Sequence, residues 1–112
     1  MSQDTVVPSV FCVVTFILPG GVSGEVEARF AETQLTVSQE QGCLLYRFSV
    51  DLLKPDQVQI VEHWRDQAAF DAHVANAHSD AFLAWLQSLG MSGFTLQQHD
   101  VQHSAEPLRI GD

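Results

Sequence analysis

Basic residues are scarce in this chain. One lysine and four arginines stand against fourteen acidic residues among 112, for a formal charge of −9. A duplex-binding surface displaces counterions from phosphates with a stripe of Lys and Arg, and five cations cannot build one. The same shortage argues against an anionic membrane surface. Long apolar runs are missing as well. The longest, Val10 to Leu18, is interrupted by Thr15 and falls far short of the roughly 20 residues of a membrane span. No positive charge precedes it, so the first ten residues do not read as a secretory signal. Only two cysteines occur, Cys12 and Cys43, each inside an apolar, strand-like stretch. Buried thiols in a reducing cytoplasm are the expectation, with a lone disulfide as the alternative.

Motifs for bound groups are equally sparse. There is no HExxH, no CxxC and no two-His-one-carboxylate spacing, so the five histidines predict no metal site. His99 and His103 would share a strand face, but four strand residues span about 13 Å, too far for one ion. No GxGxxG, P-loop or GxSxG is present. Gly20, Gly21 and Gly24 read as a turn, with no cation close by to hold a phosphate. Neither cysteine has the electropositive setting of a reactive thiolate. The expectation is a site with no cofactor.

What the chain does have is periodicity. Ser9 to Leu18 is apolar on both sides, as a central strand would be, and Pro19-Gly20-Gly21 stops it. From Ser23 to Glu40, Val26, Phe30, Thr33 and Val37 recur at helical steps, widened by Ala28, Ala31 and Leu35. Gln41-Gly42 closes this helix with a glycine suited to a left-handed cap. Cys43 to Asp51 alternates, with Leu44, Tyr46, Phe48 and Val50 on one face and Arg47 on the other. Lys54-Pro55-Asp56 is a turn, and Val58 to Arg65 returns as the second arm of a hairpin. Asp66 suits an N-cap better than a catalyst and opens a short helix to Asn76. A further helix runs from Ser79 to Leu89 on the stripe Phe82, Trp85, Leu86 and Leu89, and Gly90 caps it. Phe94 to His103 is the last strand.

This order predicts an α+β, ferredoxin-like split βαβ domain over residues 9–103, with a four-stranded antiparallel sheet covered by helices on one face. Residues 1–8 read as an N-terminal arm and 104–112 as a C-terminal tail. A first strand apolar on both sides, with Tyr46, Phe48, Val58 and Trp64 added, predicts surplus apolar surface on the open face. A homodimer through that face is the expected partner arrangement.

The chemistry concentrates between Val61 and Phe82. Val58, Ile60, Glu62 and Trp64 share one strand face, so a carboxylate points where its neighbours are apolar. That carboxylate comes near His73, on the apolar side of the next helix, where it can fix the tautomer and raise the basicity of the imidazole. The bland alternative is that Glu62 and His73 only stabilise the fold. Trp64 is a flat wall for an aromatic ligand, and the Tyr46 hydroxyl is placed to line the same cavity. His78 opens the last helix, where the dipole disfavours an added proton, and is either a substrate contact or a packing residue.

Together these pieces resemble the antibiotic biosynthesis monooxygenase family: the Pro19-Gly20 turn after an apolar strand, Glu40-Gln41-Gly42-Cys43 with Tyr46 behind it, Glu62-x-Trp64-x-Asp66, Ala69-Phe70-x-x-His73, and His78. The resemblance spans about residues 9–103. It implies a ferredoxin-like domain that dimerises sheet to sheet into a dimeric α/β barrel, with a pocket between each sheet and its helices. It also implies one of three activities: cofactor-free oxidation of quinols or polyketide aromatics by oxygen, isomerisation of a phosphorylated sugar, or haem degradation. The haem-degrading Asn, Trp and His fall on Val13, His73 and Leu83, and five cations give little support to a phosphorylated substrate. Ala77 departs from a proline common before the second histidine. The expected function is therefore oxidation of a quinol, phenolic or polyketide-type molecule. His73 and Glu62 form the base pair, and Trp64, Tyr46 and His78 contact the substrate. The alternative is a non-catalytic dimeric ligand-binding or stress-response domain.

Overall fold

The computed structural model describes residues 6–111; the remainder of the expected arm, 1–5, and the last tail residue, 112, lie outside the described residues. The chain runs β1 (Ser9–Ile17), α1 (Gly24–Ser38), β2 (Cys43–Val50), β3 (Gln57–Trp64), α2 (Gln67–Val74), α3 (Ala77–Ser88) and β4 (Ser92–Val101). The four strands form one antiparallel sheet in the order β2-β3-β1-β4. This is the α+β, ferredoxin-like arrangement expected from the sequence, with all three helices on one face.

Side-chain alternation decides which residues meet those helices. Val10, Cys12, Val14 and Phe16 of β1 and Val58, Ile60, Glu62 and Trp64 of β3 are buried, and their neighbours are only half-covered. The register sets Cys12 opposite Glu62 on one side and Tyr46 opposite Glu62 on the other. One carboxylate thus stands in the middle of an apolar face. From α1, Phe30 and Val37 pack onto this face, and Phe30 stacks on Phe48 with ring centroids 4.5 Å apart. Asp66 caps α2 as expected, accepting from the Ala69 amide at 2.9 Å, and that bond holds its carboxyl below the usual carboxylate range.

Several expectations need correction. Tyr46, Phe48, Val58 and Trp64 pack under the helices, so they contribute nothing to an apolar surplus on the open face. That face is furnished instead by Phe11, Val13, Leu45 and Val61, beside Gln59, His63 and Arg47. A bulge between Cys43 and Leu45 makes Cys43 the partner of Trp64. Leu44 is the extra residue and turns outward at 59% exposure, because a one-residue slip moves a side chain to the other face. Leu35 is exposed and does not widen the α1 stripe. The last helix starts two residues early, at Ala77, because Asn76 caps it by accepting from the His78 amide at 3.1 Å. β4 ends at Val101, so His103 is not on a strand with His99. This strand pairs only with β1, and all its residues but Val101 are exposed.

Candidate active site

Three elements converge beneath the sheet. Glu62 projects from β3, His73 from the last turn of α2, and Glu40 from the turn after α1. Because α1 stops at Ser38 rather than continuing to Glu40, Glu40 lies outside the helix and its side chain turns inward. Gly42 makes this turn possible. Its φ is +84°, and a Cβ there would lie 2.5 Å from the Ala69 Cβ, so a side chain is excluded on both conformational and steric grounds. The Gly42 carbonyl accepts from the Arg65 amide at 2.7 Å, tying the turn to the end of β3.

The His73 ring is held on every side. Its Nδ1 lies 3.1 and 3.2 Å from the two oxygens of Glu40. An ionised carboxylate only accepts, so Nδ1 donates to Glu40, and in the neutral ring the lone pair falls on Nε2. Nε2 lies 3.9 Å from Glu62 Oε1, beyond hydrogen-bond length. The Trp64 indole stacks on the imidazole at 4.7 Å, and Tyr46 meets it edge-on at 5.8 Å. Trp64 also donates its Nε1–H to Glu62 Oε1 at 3.0 Å. His78 Nε2 stands 3.5 Å from the other side of Glu40.

Burial governs the charges here. Removal from water pushes the Glu62 carboxyl above its ordinary value; the Trp64 N–H and His73 oppose this, and the nearby Glu40 adds to it. Burial pushes the Tyr46 phenol up too, so it stays a neutral donor. The Cys12 thiol, opposite Glu62, is pushed up to about 12 by burial and then by that carboxylate. Cys12 and Cys43 are free thiols, and neither sits beside a cation that would make it reactive.

A cavity of about 220 Å³ opens between the sheet and the α2–α3 pair. Glu62, His73 and Tyr46 stand on its walls, with His78 and Asp80 nearer solvent. The apolar lining is furthest exposed at Val74, Leu83, Phe94 and Leu96, which places the mouth where the end of α2 and α3 face the edge strand β4. Four of the five residues singled out in the sequence thus meet at one cavity. Trp64 does not line it. Its side chain is fully buried, stacked behind the imidazole and beside its cross-strand partner Cys43. The carboxylate on His73 Nδ1 is Glu40, not Glu62. Sequence reasoning gives Glu40 no role, although it opens the Glu40-Gln41-Gly42-Cys43 stretch on which the family resemblance partly rests. This arrangement can orient one imidazole tautomer and offer its free nitrogen to a ligand.

Comparison with solved structures gives the same architecture. A candidate antibiotic biosynthesis monooxygenase from Deinococcus radiodurans superposes with a TM-score of 0.72 at 24% identity, covering 92% of this chain and 99% of that one. The protein PA3566 from Pseudomonas aeruginosa gives 0.73 at 21% identity, with coverage of 86% and 96%. SnoaB, a cofactor-independent oxygenase from Streptomyces nogalater, gives 0.65 at 20% identity, with coverage of 90% and 96%. A search of curated proteins finds none that matches. The family model described as antibiotic biosynthesis monooxygenase matches residues 9–85, and the chain belongs to that family.

Proposed function

We propose that this protein is a cofactor-independent monooxygenase that oxidises a quinol, phenolic or polyketide-type aromatic with molecular oxygen. The observation that carries the reading is the Glu40–His73 contact, which leaves a basic nitrogen facing the cavity beside Glu62. Family membership and the oxygenase named among its structural neighbours support it.

In this reading His73 Nε2 takes the proton of a phenolic hydroxyl, and Glu40 stabilises the imidazolium that forms. The resulting phenolate is electron-rich enough to pass one electron to oxygen. Recombination at a ring C–H carbon ortho or para to that oxygen gives a peroxide, which takes the proton back from His73 and loses water to leave a carbonyl. The substrate gives up four electrons, one oxygen atom enters the product and the other leaves as water. Tyr46 donates to the substrate oxygen, and the Glu62 carboxyl does so in the protonated form that burial favours. His78 contacts it from the solvent side, and the apolar walls exclude water. Trp64 acts as a buttress behind His73. A second copy packs on the open sheet face, and the compartment is the cytoplasm.

Oxygen uptake with a panel of naphthols and naphthohydroquinones tests this reading, together with mass analysis under labelled oxygen. Uptake with one labelled atom in the product, lost in a folded His73→Ala variant, is the expected result. Absence of turnover across the panel, with His73→Ala affecting only stability, replaces it with the non-catalytic ligand-binding domain.

A further inference from the structure

The cavity that holds the proposed base also has a size and a charge, and together they limit what enters. Its volume of about 220 Å³ is half again that of the ~150 Å³ apolar cavity that holds one benzene ring. It falls below the roughly 300 Å³ at which pockets for larger ligands begin. Two fused rings are therefore the natural occupant, and four exceed the space. The charge is one-sided. Glu62 and Asp80 line the cavity, Glu40 lies directly behind His73, and no Lys or Arg is among the lining residues. An anionic substituent would lose water against carboxylates with no cation to meet it. A hydroxyl, by contrast, can bridge His73 Nε2 and Glu62 Oε1 from the cavity side, since atoms 3.9 Å apart are both within hydrogen-bond reach of one oxygen set off their line.

We propose that the site selects an uncharged one- or two-ring phenol or hydroquinone, placed with its hydroxyl between His73 and Glu62, and rejects carboxylated, sulfonated or phosphorylated aromatics. Asp80, exposed in the first turn of α3 at the cavity's solvent side, screens the entering ligand for charge. The proposal rests on the reading that this cavity is the substrate site, but not on turnover.

Calorimetric titration under argon separates the two, because binding is then read without oxidation. The near-isosteric probes 6-hydroxy-2-naphthamide and 6-hydroxy-2-naphthoate differ mainly in charge. The amide is expected to bind at least tenfold tighter, and Asp80→Asn to narrow that ratio at least threefold. For size, 2-naphthol is expected to bind and 1-hydroxypyrene not to. Leu83→Trp fills the mouth from a partly exposed position and is expected to abolish 2-naphthol binding with an unchanged melting temperature. Equal or tighter binding of the naphthoate, competition by 1-hydroxypyrene, or 2-naphthol binding that survives Leu83→Trp overturns the proposal. Failure of oxygen uptake alone overturns only the oxygenase reading.

Discussion

Glu40 and His73 are 33 positions apart, yet both carboxylate oxygens of Glu40 lie within 3.2 Å of the same imidazole nitrogen. This contact selects the tautomer, and with it the nitrogen that faces the cavity.

Replacing Glu40 by Ala leaves Nδ1–H without its acceptor, so both tautomers become populated. Oxygen uptake is expected to fall about 100-fold, the lower end of what a positioned base contributes. Nitrogen NMR of the His73 ring should show the tautomers mixing, a change that a purely structural role for Glu40 would not produce.

Glu62 makes stability depend on pH. Its carboxyl is raised in the folded state, so between the ordinary carboxyl value and the raised one the folded chain binds more protons than the unfolded chain. Stability from this group is complete below the unfolded value and is lost as pH rises through the folded one. Urea titrations of wild type and Glu62→Gln across pH 4 to 8 should therefore differ by a term that moves against the wild type as pH increases. A pH-independent difference would contradict this.

At Gly42, alanine meets both a positive φ and the Ala69 Cβ. Gly42→Ala is expected to lower stability by about 2 kcal/mol, from strain of about 1–3 kcal/mol at such positions. Chemical denaturation reads the loss directly. Any activity should fall with it, since the same turn aims Glu40.

Trp64→Phe keeps a ring against His73 but deletes the donor to Glu62. A buried carboxylate left short of a partner, together with lost volume, should cost about 2 kcal/mol. Denaturant unfolding checks the magnitude. Ligand affinity should change little, because the indole is behind the imidazole rather than on the cavity wall.

On the open sheet face, Val13 stands at the centre of β1 and is half-buried by its neighbours alone. If a second copy covers it, light scattering at micromolar concentration gives a dimer. Val13→Asp should then give a folded monomer, since a buried unpaired charge opposes association. A wild-type monomer would remove the sheet-to-sheet arrangement.

Much of this was legible in the sequence because it depends on local periodicity. Alternation over 58–65 placed Glu62 among Val58, Ile60 and Trp64, and helical spacing placed His73 beside Ala69 and Phe70. Asp66 announced its own helix start. These follow from two-residue and 3.6-residue backbone repeats, which need no knowledge of the rest of the chain. The element order narrowed the topology to one sheet with its helices on one face.

Other features depend on how elements meet, and no local repeat encodes them. The Leu44 bulge reversed a face because strand pairing, not alternation, sets register across a gap. Helix α1 ended early enough to free Glu40, and the Gly42 turn aimed it at a ring 33 residues away. The register put Trp64 opposite Cys43 and behind His73, away from the cavity. The sequence by itself determined the strands, the helices and the presence of a buried carboxylate near an imidazole. Only the tertiary structure decided which carboxylate holds which nitrogen, because that depends on crossing geometry and turn conformation between segments far apart in the chain.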